Sequence, residues 1–94
     1  MKKQVTVFEV VRTKYRRSTD IEIDMSVYSI GLFKTEELAL LELEKVHGVM
    51  TLFSEKWRGT MTKIKDNSFQ VYYVDENKRD VERDYQIVER VIQD

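Results

Sequence analysis

The stretch VERDYQIVERVIQ, Val81 to Gln93, has two readings, and the choice between them decides the fold. Val81, Tyr85, Val88 and Ile92 recur at i, i+4, i+7 and i+11, which suits one face of a helix. Tyr85, Ile87 and Val91 instead fit the alternation of a strand. The segment is rich in valine and isoleucine, whose branched side chains lose rotamer freedom in a helix and pack well on a pleated surface. A terminal strand over 81–92 is therefore expected, preceded by a polar turn at Asp75 to Asp80.

Just upstream, KWRGTMTKIKDNSFQVYYVD, Lys56 to Asp75, holds the only tryptophan, two adjacent tyrosines and four cations. Asp66 to Ser68 are residues that favour turns and tolerate positive φ. With an even-length loop, Thr62, Ile64, Phe69, Val71 and Tyr73 share one strand face, and Met61, Lys63, Lys65, Gln70, Tyr72 and Val74 share the other. That parity gives one apolar and one cationic face, so it is the expected one. Trp57 follows Met50 and Phe53 at helical spacing and is assigned to the helix–sheet core.

Val5 to Thr13 is rich in branched residues and reads as a strand, with Val5, Val7 and Val11 on one face and Phe8 and Val10 on the other. Lys14 to Asp20 reads as a loop. Ile21 to Phe33 starts with Ile21, Ile23, Met25 and Val27 on one side, then shifts phase to Tyr28, Ile30 and Leu32. A β-bulge, one extra residue, would keep the apolar side turned inward. These two strands are expected to pair as an antiparallel hairpin.

Thr35 to Gly48, TEELALLELEKVHG, carries the clearest helix signals. Thr35 suits the N-cap, Glu36 and Glu37 suit the positive end, and Gly48 suits a left-handed C′ position. Ala39, Leu43 and Val46 cluster on one face, while Leu41 falls nearly opposite among charges. The expected architecture is a single α+β domain over 1–94. A mostly antiparallel sheet of about five strands is packed by one main helix (35–47) and a short second helical segment (49–56). Whether Gly48 breaks the helix is left open by the sequence.

Composition narrows the chemistry. The chain of 94 residues is 41% hydrophobic and 35% charged, which fits a packed core under a charged surface. With no cysteine, disulfides, thiolate zinc sites and thiol nucleophiles are excluded. Thr6 and Glu9 interrupt any apolar run after the N-terminal MKK, so neither a signal peptide nor a membrane span is expected, and the compartment is expected to be cytoplasmic. The net charge of −1 is uneven: residues 1–17 balance at +5, 51–65 at +3 and 66–94 at −4.

No catalytic set is assembled by the sequence. His47 is the only histidine and lies at a helix end, where free carbonyls give it a structural partner. Asp20, Glu22 and Asp24 alternate on one strand face but lack the glycine turn and distal glutamate of a calcium loop, so they read as a solvated face. No phosphate-loop pattern occurs. Catalytic residues, metal ligands and cofactors are therefore all expected to be none.

The same stretch from Trp57 onward resembles segments of Tudor and SH3-like barrels in its run of strand, turn, strand and acidic turn, with Trp57, Gly59, Tyr72, Tyr73 and Asp75 carrying the likeness. No ligand and no site residue follows from it.

The leading expectation is a non-catalytic interaction module acting through protein–protein contact as a homodimer, with Leu41 as the candidate contact. The alternative is a nucleic-acid-binding module whose basic and aromatic face comprises Lys63, Lys65, Gln70 and Tyr72 with Arg16 and Arg17. An enzyme ranks third.

Overall fold

The computed structural model of the chain describes residues 4–17 and 23–93. In order these form β1 (Gln4–Arg17), β2 (Ile23–Phe33), α1 (Glu36–Trp57), β3 (Thr60–Met61), β4 (Ser68–Val74) and β5 (Asp80–Gln93). The strands make one antiparallel sheet in the order β2-β1-β5-β4-β3, and α1 packs on one face, a small single-domain α+β fold.

The ambiguous terminal segment is a strand, and it lies inside the sheet. β5 pairs with β1 along its whole length, from Gln4↔Gln93 to Arg17↔Asp80, and its first half also pairs with β4. Backbone groups bonded from both sides outweigh what an isolated helix would give this sequence.

Under α1, Phe69 stacks flat on Tyr85 with ring centroids 4.7 Å apart. Tyr73 takes the edge of Phe53 at 5.1 Å, and Trp57 lies beside both as the last helical residue. Val10, Ala39, Leu43, Met50, Val71 and Val81 complete the buried cluster, so Trp57 joins the core as expected.

Thr35 caps α1, its Oγ1 accepting from the Leu38 amide at 3.2 Å. The helix ends at Arg58, which is left-handed (φ 54°), and the Gly59 amide donates to the Ser54 carbonyl at 2.8 Å. Gly48 is therefore not a C-terminal cap, and the segments expected at 35–47 and 49–56 are one helix of 22 residues. The reason is phase. Ala39, Leu43, Met50 and Ser54 are buried on one stripe across Gly48, with Val46, Phe53 and Trp57 packed beside them, and burying that stripe exceeds the cost of about 1 kcal/mol for an interior glycine. A methyl group at Gly48 would meet nothing within 4 Å. Gly48→Ala is accordingly expected to stabilise the fold by about 0.5–1 kcal/mol in urea denaturation, and a lower midpoint would contradict the continuous helix.

Three further expectations change. β1 runs on to Arg17, so Lys14 to Arg17 are strand residues rather than a loop; residues 18–22, with Asp20 and Glu22, lie outside the described residues. The bulge in β2 exists but falls at Ile30, between the pairs Val10↔Gly31 and Val11↔Ser29. Met25, Val27 and Leu32 thereby share one face, and it is the face away from α1 rather than toward it. In the β3–β4 hairpin the loop is even as expected, two residues with Asp66 and Asn67 at φ 53° and 60°. Thr62 bonds Gln70 while Lys65 bridges Ser68, which leaves one extra residue between Thr62 and Lys65. That insertion turns Met61 to the core side with Val71, not to the Tyr72 side. Among the described residues the sheet has free edges at β2 and β3, and Trp57 belongs to a helix, so the barrel likeness does not extend to architecture. No helix among the described residues is long and apolar enough to cross a membrane.

Candidate functional site

Strand alternation and register sort the sheet's side chains into two faces. The side under α1 carries Phe69, Val71 and Tyr73 of β4, Val81, Arg83 and Tyr85 of β5, and Val10, Arg12, Lys14 and Arg16 of β1. The other side carries Val5, Val7, Glu9, Val11, Thr13, Tyr15 and Arg17 of β1, and no helix covers it among the described residues.

On that uncovered side the apolar residues are exposed. Val5, Met25, Val27, Leu32, Tyr72, Val74 and Ile92 all lie there, seven of the thirteen large apolar side chains that stand out from the described surface. Four others, Leu38, Leu41, Val49 and Leu52, run along the outer flank of α1 with Lys45 among them. Leu41 is exposed as expected, one member of a stripe whose other three residues the sequence reading passed over.

Polar groups gather at one end of the uncovered face. Tyr15, Arg17, Tyr72, Asp80 and Glu82 line a shallow depression of about 330 Å³. The Tyr72 hydroxyl donates to Gln70 Oε1 at 2.7 Å. A hydrogen bond with Glu82, with burial and the Glu82 charge behind it, holds the phenol's pKa above its usual value. Burial, then the charge of Glu82, pushes the Asp84 carboxyl up, and its Oδ1 has no hydrogen-bond partner. At the other end, Arg90 Nε donates to Glu9 Oε1 at 3.0 Å. Bonds from Ser29 and Arg90 hold the Glu9 carboxyl below its usual value.

Of the six residues expected to form a basic and aromatic face, five gather on or beside the uncovered side in two groups, and only Arg16 lies apart. Gln70 and Tyr72 sit mid-strand on the uncovered side. Lys63 and Lys65 adjoin the Ser68 end of β4, where they line a groove of about 470 Å³ with Gln70. Arg17 stands at the opposite end, level with Val74. Arg16 points to the helix side, because neighbours on a strand face opposite ways. His47 serves structure: its Nε2 lies 3.2 Å from the Thr62 carbonyl oxygen, and its ring meets Phe69 edge-on at 4.8 Å.

The structure instead assembles a cationic cluster on the helix side. Arg12, Lys14 and Arg16 follow one another on one face of β1, and Arg83 is the direct cross-strand partner of Lys14. The Arg12 guanidinium lies 5.2 Å over the Tyr28 ring, and that of Arg83 lies 4.8 Å over Phe53 and 5.5 Å over Tyr73. Burial first, then the charges of Arg83, Arg16 and Arg12, lower the Lys14 pKa. The i, i+2, i+4 spacing of Arg12, Lys14 and Arg16 is visible in the sequence, and reading Lys14 onward as a loop hid it. Among the described residues no group of three acidic or histidine side chains is placed to hold a metal ion. No protein-family model, curated protein or solved structure matches this chain.

Proposed function

We propose that the chain is a non-catalytic interaction module that acts through protein–protein contact, as a homodimer joined face to face through the uncovered side of its sheet. The supporting observation is the concentration of exposed Met25, Val27, Leu32, Tyr72 and their neighbours on that one side. An apolar surface of this kind marks an interaction site when it is contiguous. The molecule measures 54 × 29 × 17 Å, so the broad face spans on the order of 1,500 Å², and about 800 Å² per partner suffices for a stable dimer.

Charge favours a second copy as the occupant. Along β5, Glu82 and Arg90 stand four residues to either side of Gln86, all on the uncovered face. A two-fold axis through Gln86 brings Arg90 of one copy, which also holds Glu9 of its own chain, toward Glu82 of the other, twice, and two sheets can pack this way with strands nearly aligned. The Leu41 stripe is narrower and holds Lys45 at its centre, so it is the weaker candidate.

Sedimentation across a concentration series tests this. Wild type is expected to dimerise. Val27→Glu is expected to weaken the dimer about tenfold or more, since it places an unpaired charge in an apolar contact. Leu41→Glu is expected to leave it unchanged. A monomer at every concentration, or dissociation by Leu41→Glu and not by Val27→Glu, would remove the proposal.

A further inference from the structure

The cationic cluster lies on the side of the sheet that the proposed dimer does not use. Its four members, Arg12, Lys14, Arg16 and Arg83, are half-buried, and none makes an ion pair within 4 Å with a carboxylate among the described residues. Among the described acids nearby, Asp75 holds Arg79 at 2.9 Å, and Asp24 is the direct cross-strand partner of Arg16 but makes no ion pair with it. Two guanidinium donors, Arg12 Nε and Arg83 Nε, are buried with no acceptor. Buried donors without partners are uncommon in a folded protein, and they mark these two guanidinium groups as incompletely satisfied by the chain itself.

The shape of the cluster narrows the anion. Alternate residues on a strand are about 7 Å apart, so Arg12, Lys14 and Arg16 form a straight row of about 13 Å, with Arg83 beside its middle. A row of charge at that interval suits a linear polyanion better than one compact ion. Tyr28, largely exposed, flanks the row from β2 and offers a ring face for stacking. The cations are half-buried, and Arg83 lies against Met50 and Phe53 of α1, so a slender chain reaches the row more readily than a broad duplex.

We infer that this row binds the phosphodiester backbone of single-stranded nucleic acid, with Arg12, Lys14, Arg16 and Arg83 on the phosphates and Tyr28 under a base. The site differs from the face of Lys63, Lys65 and Tyr72 that the sequence alone suggests. It stands whether or not the chain dimerises.

Fluorescence anisotropy with a labelled oligothymidylate, on the full chain at low salt, is the test. Binding is expected, with log K falling against log salt at a slope of about −3 for four neutralised phosphates. Lys14→Gln and Arg16→Gln should each weaken binding about fivefold or more and flatten the slope by about 0.7. Lys63→Gln and Lys65→Gln should leave both unchanged. Thermal melts establish that each variant is folded; Arg16, next to the end of β1, is the variant to rely on should Lys14→Gln unfold. The inference is overturned by an absence of binding at low salt, by wild-type affinity in both β1 variants, by a clear preference for duplex of the same length, or by inorganic phosphate binding as tightly as the oligonucleotide.

Discussion

Phe69→Ala is expected to remove about 3–5 kcal/mol of stability, the largest loss from any single truncation considered for this fold. A domain of this length holds roughly 5–14 kcal/mol in all, so the variant stands near the edge of folding. Phe69 is 2% exposed and joins three elements: its ring lies flat on Tyr85 of β5, takes the edge of His47 from α1, and sits on β4 itself. Helix α1, the central strand β5 and its neighbour β4 therefore lose a shared contact together. The surroundings have little means of closing the cavity, because Tyr85 and the strand backbones are fixed by ladders on both sides. Urea denaturation of wild type and variant measures the difference. A loss below about 1.5 kcal/mol would mean that α1 settles into the space and that the core is softer than its packing indicates.

Gly59→Ala is expected to cost about 2–3 kcal/mol, at the upper end of what overpacking produces. The backbone at Gly59 is not left-handed, so alanine's conformational preference is no obstacle. Space is the obstacle. A methyl group there would overlap the Tyr72 carbonyl oxygen and approach Tyr73 Cβ to 3.0 Å. The first of these belongs to the backbone of β4, which cannot swing aside as a side chain can. Either β4 moves from β5, or the turn from α1 into β3 reopens and the Gly59 bond to Ser54 is lost. The comparison with Gly48→Ala is informative, since the same chemical change in the same protein is expected to have opposite sign. If Gly59→Ala proved neutral, the close crossing of the α1–β3 turn over β4 would be wrong.

Much of this architecture was legible in the sequence, for reasons that can be named. Thr35 with Glu36 and Glu37 fixes where α1 begins because capping is local chemistry. The branched residues of β5 favour a strand before any partner is known, and Asp66 and Asn67 favour a tight turn. What stayed hidden depends on neighbours distant in sequence. Gly48 resembles a helix end until one knows that Met50, Ser54 and Trp57 have a sheet to bury against. Met61 changes sides because of one inserted residue, and a pattern of period two keeps no memory of such a slip. Arg16 and Arg17 read as a loop pair in the sequence, yet on a strand they serve opposite faces. Arg83 joins Lys14 only through the β1–β5 ladder, so no local pattern pairs them. The direction in which Met25 and Val27 point was equally out of reach, because alternation marks two faces without saying which one receives the helix.

The pairing of β1 with β5 also sets a timetable for making the protein. Its partners are separated by 63 to 89 residues, from Arg17↔Asp80 to Gln4↔Gln93. At a synthesis rate of about 5–20 residues per second, β1 waits about 3–18 s for its neighbour to be translated. During that interval β2 can satisfy one edge of β1, while the other edge has no strand to pair with. The helix and the β3–β4 turn are complete before it arrives. The nascent chain thus holds a finished helix and an unfinished sheet, and its most vulnerable moment, when a chaperone or a neighbouring nascent chain would find that open edge, comes just before the last strand arrives.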